Sequence, residues 1–184
     1  MRESSEELMT RVRGGDLDAF EDLVERFKVG VFSFAYQIVR SREDAEEAAQ
    51  DTFLKLFRAR EDYEAGRAVS PWVLKIAANT CKDLLRRRKG RQKVSSDNLS
   101  ELGFEVSDPH YELPTRHRIE ADEVRSLLNG LSDGYRIPLV LKYLNGMTNR
   151  EISEALGISL SNVKVRLSRA RELLMHRLRR LQEK

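Results

Sequence analysis

The chain has 184 residues and a net charge of +3, a length that suits one sizeable core or two small domains of roughly 80 residues each. No apolar run approaches the roughly 18 residues needed to span a bilayer, and the amino terminus offers no apolar secretion signal, so a cytoplasmic protein is expected. The lone Cys81 excludes an internal disulfide, and the three histidines lack the close pairing of a metal site, so no metal or other cofactor is expected.

Helical spacing of apolar residues dominates the chain up to position 93, without strand-like alternation. Asp16 and Ser41 are candidate caps for two long helices, each with one apolar side. Residues 63–71 are predicted to form a loop whose end is marked by Pro71, in the first turn of the next helix. That helix is predicted over residues 72–88.

A change in the sign of charge divides the chain. Six cations occupy the eight positions 86–93, and residues 95–113 then hold five acids and no Lys or Arg. The Ser, Asp, Gly and Pro content of this second stretch is typical of a linker. The sequence therefore predicts an all-α protein with two small helical domains, 1–93 and 119–184, joined by a flexible acidic linker at 94–118.

The second domain is predicted to be helical from its start. Helices are expected over 119–131 and over 133–144, where Pro138 predicts either a late start or a kink. Residues 148–171 then have the spacing of a helix-turn-helix. The capping signals of this motif are a Thr-x-x-Glu box at Thr148 and Glu151, a left-handed glycine at Gly157, and a serine cap at Ser159 or Ser161.

The second helix of this motif has two contrasting faces. The stripe predicted to be buried is Val163, Leu167, Ala170, Leu174, Leu178 and Leu181. The opposite face carries Ser161, Lys164, Val165, Ser168, Arg169 and Glu172. Hydroxyls, a small apolar group and long cations on a narrow helix fit the major groove, where they contact phosphates and base edges together. The sequence therefore predicts a module that reads DNA.

Three blocks in order carry a family likeness: Arg42–Phe57, Pro71–Arg88, and the helix-turn-helix that ends in Arg169-Ala-Arg171. Together they resemble bacterial sigma factors of the extracytoplasmic-function (ECF) group, in the sigma-70 family, over about residues 10–93 and 120–181. The resemblance implies that the two domains bind RNA polymerase core enzyme, recognise the minus-thirty-five and minus-ten promoter elements, and open the duplex. It also implies an anti-sigma protein as a partner.

The resemblance assigns core-polymerase binding to Glu47, Gln50 and Asp51. Acids on the outer side of a helix can accept charge-assisted hydrogen bonds from Arg or Lys of a partner. Taken alone, the same residues are also explained as a solvated acidic face near a helix amino terminus.

The loop at 63–70 and the helix after it resemble the region that captures the minus-ten non-template strand. Holding a base outside the duplex costs a few kcal/mol and requires a shaped pocket with hydrogen bonds to the base edge. Residues 66–70 of this loop lack an aromatic residue that family members often have near this point, so the sequence does not predict which base the loop would hold. Trp72 is predicted to be a core residue. Minus-ten binding is assigned to Asn79, Lys82, Asp83, Arg86, Arg87 and Arg88.

In the second domain the resemblance assigns promoter reading to one face of the recognition helix. A bidentate contact from a cation to guanine gives roughly 1 to 3 kcal/mol of discrimination, so either Lys164 or Arg169 is expected to dominate. Arg166 and Arg171 are expected to contact phosphates or to brace the helix. The minus-thirty-five set is Ser161, Asn162, Lys164, Val165, Arg166, Ser168, Arg169 and Arg171.

Two other functions compete with this interpretation. One is an ordinary transcription regulator that uses the same helix-turn-helix and never engages polymerase. The other is a nuclease that uses Glu43, Glu47 and Asp51, but acids at every fourth residue of one helix point outward together and do not enclose a metal. The protein is therefore expected to act by binding and not as an enzyme.

Overall fold

The computed structural model describes residues 3–95, 128 and 130–182. Within those ranges every regular element is helical, which confirms the predicted all-α class. The helix predicted over 119–131 and the linker fall almost wholly outside the described residues. The helices are α1 (Ser5–Arg13), α2 (Leu17–Val39), α3 (Arg42–Arg58), a 3-10 turn (Arg60–Asp62), α4 (Val69–Ser95), α5 (Asp133–Tyr143), α6 (Asn149–Leu156) and α7 (Leu160–Gln182).

Side-chain caps begin α2 and α3 at the positions that the sequence predicts. The Asp16 carboxylate accepts a hydrogen bond from the Ala19 amide at 3.1 Å, and the Ser41 hydroxyl accepts one from the Asp44 amide at 3.3 Å. Each bond satisfies an amide that has no partner inside its own helix.

The core of the first domain lies between α2, α3 and α4. Leu23, Ile38 and Leu56 are fully buried there, and so is Cys81 on α4. Burial raises the pKa of the Cys81 thiol to about 12, because the thiolate would lose its hydration. The three helices thus form a rigid support for the outer faces of α3 and α4.

Pro138 lies inside α5 without ending it, so the helix does not start late. Proline has no amide hydrogen to donate to the carbonyl of Gly134, one turn earlier. A guanidinium nitrogen of Arg166 on α7 lies 3.5 Å from that carbonyl oxygen. Helix α7 therefore braces α5 at the position where proline removes a backbone bond.

The stripe predicted on α7 is only partly buried, and the side chain of Leu181 lies outside what the structure describes. Val163, Leu167 and Ala170 are buried and Leu174 is half-buried, but Leu178 is exposed, so the prediction is wrong for Leu178.

The two groups of helices pack against each other, with α6 on α4 and α5 beside the end of α2. Arg136 of α5 is only 2% exposed and donates to the Ile38 carbonyl of α2 and, at 2.7 Å, to the Asp133 carboxylate. Arg40 donates in the opposite direction, to the Leu131 carbonyl at 3.1 Å. Two arginines, one from each domain, thus form hydrogen bonds across the junction between the domains.

Candidate functional site

The predicted polymerase-binding acids lie on one face of α3, with Glu47 and Gln50 exposed and Asp51 half-buried. They are not isolated, because a guanidinium nitrogen of Arg87 on α4 lies 3.5 Å from a Glu47 carboxylate oxygen and 3.9 Å from one of Asp51. Ion pairs this exposed contribute about 0 to 1 kcal/mol and are readily exchanged for other partners. Arg87 therefore links the surface predicted for polymerase to the one predicted for DNA.

Leu54 lies on the same face of α3, three residues after Asp51, and its side chain is 54% exposed. The sequence analysis did not select it. The sequence places Leu54 four residues after Gln50 and three after Asp51, on the same side of a helix. Helical spacing alone, however, does not distinguish an exposed leucine from a buried one. An apolar side chain beside polar groups matches the composition of many protein interfaces.

The predicted minus-ten residues of α4 fall into two groups. Asn79 and Lys82 are half-buried, and the Lys82 ammonium lies 3.4 Å from the Asn79 side-chain oxygen. Asp83 is exposed and pairs with Lys55 at 3.7 Å and with Arg86 at 3.6 Å. Lys82 also approaches the second domain.

Lys82 lies at the domain junction, where its ammonium group is 3.5 Å from the carbonyl oxygen of Leu156, at the end of α6. Burial lowers the pKa of Lys82, and nearby Arg86 and Arg166 lower it further, against the opposing effect of Asp83. The cation is thus partly shielded from solvent by the helix-turn-helix.

The basic end of α4 is ion-paired within the first domain. Arg88 pairs with the Asp44 carboxylate of α3, Arg87 with the two acids named above, and Arg86 with Asp83. All three guanidinium groups therefore already have carboxylate partners.

The loop before α4 has exposed residues at 64–68 between two buried anchors, Tyr63 and Val69. The Tyr63 hydroxyl donates to the Arg67 carbonyl, and the Tyr63 ring packs 5.4 Å from that of Trp72, which is half-buried. Glu64 and Arg67 pair across the turn at 2.7 Å. We call residues 64–68 the α4 loop.

The structure places α4's start at Val69, three residues before the predicted position. The residue before it, Ala68, has no side-chain acceptor, which is why no cap is visible in the sequence. The acceptor comes from α1, where the Glu6 carboxylate accepts a hydrogen bond from the Val69 amide at 3.2 Å.

The frame of the helix-turn-helix matches its prediction at each cap. Thr148 and Glu151 exchange backbone-to-side-chain hydrogen bonds at 2.7 and 3.2 Å, and Gly157 ends α6 with a φ of +64°. Of the two candidate serines, Ser159 caps α7, accepting from the Asn162 amide at 3.2 Å. These contacts fix the direction in which α7 leaves the turn.

The predicted minus-thirty-five residues lie along the outer side of α7. Lys164 and Arg169 form no ion pair within the described part of the chain, whereas Arg166 donates to the Asn162 side-chain oxygen at 2.9 Å. Ser168 donates to Glu172 at 3.3 Å. The exposed members are Ser161, Asn162, Lys164, Val165, Arg169 and Arg171, and the half-buried ones are Arg166 and Ser168.

Among residues 3–95, 128 and 130–182, no three His, Cys, Asp or Glu side chains come together in a way that would hold a metal ion. No helix in the same ranges is both long and apolar enough to cross a membrane.

Comparison with known proteins matches both halves of the chain. The family described as Sigma-70 region 2 matches residues 23–91, and Sigma-70, region 4 matches residues 121–174. The RNA polymerase sigma factor CarQ of Myxococcus xanthus is 34% identical over 90% of this chain and 92% of its own length. The ECF RNA polymerase sigma factor SigW of Bacillus subtilis is 29% identical over 93% of this chain and 95% of its own length.

A solved structure has the same fold. CnrH, in complex with the cytosolic domain of CnrY, superposes with a TM-score of 0.68 at 26% identity, covering 96% of this chain and 97% of CnrH. The chain is thus an all-helical protein with a sigma region 2 domain and a sigma region 4 domain. It belongs to the ECF group of the sigma-70 family of RNA polymerase sigma factors.

Proposed function

We propose that this sigma factor binds RNA polymerase core enzyme, recognises minus-thirty-five and minus-ten promoter elements, promotes DNA opening, and has no chemistry of its own. The observation that supports this most is the outer face of α7. There Lys164 and Arg169 extend from a fully capped helix-turn-helix without a carboxylate partner in the described chain.

The minus-thirty-five element is proposed to lie against α7. Lys164 and Arg169 are exposed, so base contact does not require them to give up internal ion pairs. Arg171 is exposed further along the helix and suits a phosphate, which adds affinity without sequence preference. Arg166 is assigned a bracing role, because it already contacts Asn162 and the Gly134 carbonyl.

Core polymerase is proposed to bind the acidic face of α3. Glu47, Gln50 and Asp51 would accept hydrogen bonds from Arg or Lys of the polymerase, in exchange for the weak ion pairs to Arg87. Leu54 extends this face with apolar surface that becomes buried on binding.

The minus-ten non-template strand is proposed to bind the α4 loop and the Asn79–Lys82 side of α4. Because α6 lies against Lys82, the strand can reach this side only when the second domain moves away from the first. A protein inhibitor that keeps the domains together would therefore block the promoter. By likeness to the complex of CnrH with CnrY, we propose an anti-sigma partner of that kind.

The test adds the purified chain to sigma-free core polymerase with genomic DNA and maps transcription starts. Lys164→Ala and Arg169→Ala are each compared with Arg150→Ala, which removes an exposed cation from α6 outside the proposed reading face. Whichever of the two side chains contacts guanine should, when replaced, weaken upstream-element recognition roughly 5- to 150-fold, the equivalent of about 1 to 3 kcal/mol. Arg150→Ala should initiate normally.

Failure of the chain to direct core polymerase to any start would reject the proposal. If the chain also fails to bind core polymerase in a pull-down while duplex binding persists, the protein is a stand-alone regulator. Normal initiation by both variants at the wild-type starts would reject the assignment of Lys164 and Arg169.

A further inference from the structure

We propose that Glu6 of α1 is a positioning residue that sets the shape of the α4 loop and, through it, the base preference at the minus-ten element. The inference rests on the proposed function, since it assigns a role to a residue behind the strand-binding surface. The observation behind it is a hydrogen bond between two helices: the amide of Val69, the first residue of α4, donates to the carboxylate of Glu6 in α1.

The start of α4 lacks a cap of its own. Ala68 has no acceptor, and Pro71 in the first turn has no amide hydrogen. Val69 is fully buried, so its amide is removed from water and needs a partner inside the protein. Glu6 supplies that partner from 63 positions earlier in the chain.

Glu6 is itself held in place by α1. This helix begins with a capping box in which Ser4 and Glu7 exchange hydrogen bonds, and it buries Leu8 and Met9 against the first domain. Glu6 lies in the first turn of α1 and also at the first amide of α4, so its negative charge faces the positive ends of two helices. The residues that match sigma region 2 begin at 23, so α1 precedes them.

The other end of the α4 loop is fixed by a different residue. Tyr63 is 2% exposed and holds the Arg67 carbonyl through its hydroxyl, and Gly66 turns the chain with a φ of +88°. Burial raises the pKa of Tyr63, and the charge of Glu6 raises it further, which indicates that the two groups are close.

The α4 loop is thus a short exposed segment that is held at both ends, by Tyr63 at one end and by the Glu6–Val69 hydrogen bond at the other. A loop whose shape is fixed before binding loses less conformational entropy when it holds a base, and it distinguishes bases by fit. Without the Glu6–Val69 hydrogen bond the α4 loop has the same sequence but is held at one end only. Preference for the correct base should therefore fall more than general affinity for the strand.

The experiment uses the full chain with core polymerase on a promoter taken from the start-site mapping. Each minus-ten base is substituted in turn, and opening is measured by permanganate reactivity of unpaired thymines. Glu6→Ala should reduce the ratio between the best and the substituted base about three- to tenfold at the positions read by the loop. Ratios at the minus-thirty-five element should not change. Glu6→Gln keeps an oxygen acceptor and should restore most of the preference.

Two further variants calibrate the result. Tyr63→Phe removes the hydroxyl at the other anchor and should lower the same ratio, at the same positions. Glu21→Ala removes an exposed carboxylate of α2 that has no polar contact in the described chain, and it should leave all ratios unchanged. Hydrogen exchange of the Val69 amide, measured in Glu6→Ala and Glu6→Gln, reports the bond directly, and its protection should fall in Glu6→Ala.

If Glu6→Ala opens promoters with wild-type base ratios, the inference is wrong, and it is equally wrong if both elements lose recognition to the same extent. If Glu6→Ala does not fold, Glu6→Gln is tested in its place. Reduced hydrogen-exchange protection of the Val69 amide in Glu6→Gln, together with unchanged minus-ten base ratios, would refute the inference. If the wild-type holoenzyme opens no promoter at all, it is the proposed function that fails.

Discussion

Replacement of Arg136 by methionine should both destabilise the protein and loosen its two domains. Methionine retains most of the side-chain length but none of the donors to Ile38, Leu131 and Asp133. Breaking a buried, hydrogen-bonded charge costs about 3 to 5 kcal/mol. Asp133 keeps 27% of its side chain in solvent, so we expect a loss of about 3 kcal/mol, at the lower end of that range.

For a chain of this length each kcal/mol corresponds to about 2 to 4 °C, so the midpoint of thermal unfolding should fall by roughly 6 to 12 °C. The bond to the Ile38 carbonyl crosses the domain junction. A hydrogen bond from a charged donor contributes about 1.5 to 3 kcal/mol, so its loss should shift the docking equilibrium of the domains by at least roughly tenfold.

Docking can be followed by energy transfer between dyes on Glu61→Cys and Arg150→Cys, both highly exposed positions in different domains. The buried Cys81 need not be replaced, because its raised pKa keeps the thiol protonated and unreactive. Arg42→Met is the matched control, since the ion pair of Arg42 with Glu46 is about half exposed and contributes below about 1 kcal/mol. Equal transfer efficiency and equal melting in Arg136→Met and Arg42→Met would refute the reasoning.

Three further variants test individual features. Thr148→Ala removes the capping box of α6 and should cost about 1 kcal/mol, measured by urea unfolding; a change below about 0.3 kcal/mol would show that the cap is dispensable. Gly157→Ala adds a methyl group to open space but at a φ of +64°, so it should cost about 1 kcal/mol from backbone strain alone, and an unchanged urea midpoint would contradict this. Stability should fall by up to about 1.4 kcal/mol per pH unit from pH 9 toward 12, because the Cys81 thiol ionises in the unfolded chain but stays protonated when folded. Cys81→Ala should have a shallower alkaline slope in the same titration, and identical slopes would exclude this linkage.

The parts of the fold that depend on neighbouring residues were predictable from the sequence. The caps at Asp16, Ser41 and Thr148 form hydrogen bonds to amides three residues away, so residue type and spacing suffice to identify them. The start of α4 was predicted three residues late, because its cap is Glu6, which no local pattern connects to Val69.

The candidate site was predictable to a similar extent. Helical periodicity places Lys164 and Arg169 on the outer face of α7, and both are exposed. Periodicity cannot show that Arg87 pairs with Glu47, or that Lys82 lies under the end of α6, since both contacts join separate helices. Arg136 illustrates the same limit. A long cationic side chain on a helix is usually exposed to solvent, whereas Arg136 is buried between the two domains.

The contact between Arg166 and the Gly134 carbonyl restricts how α7 can be exchanged between relatives. A chimaera that receives a foreign α7 with a short side chain at position 166 would leave the carbonyl opposite Pro138 without its donor. A transplanted helix should therefore carry arginine at 166, or the acceptor protein should lose Pro138 in the same step. Residues 138 and 166 of this chain should therefore be exchanged as a pair.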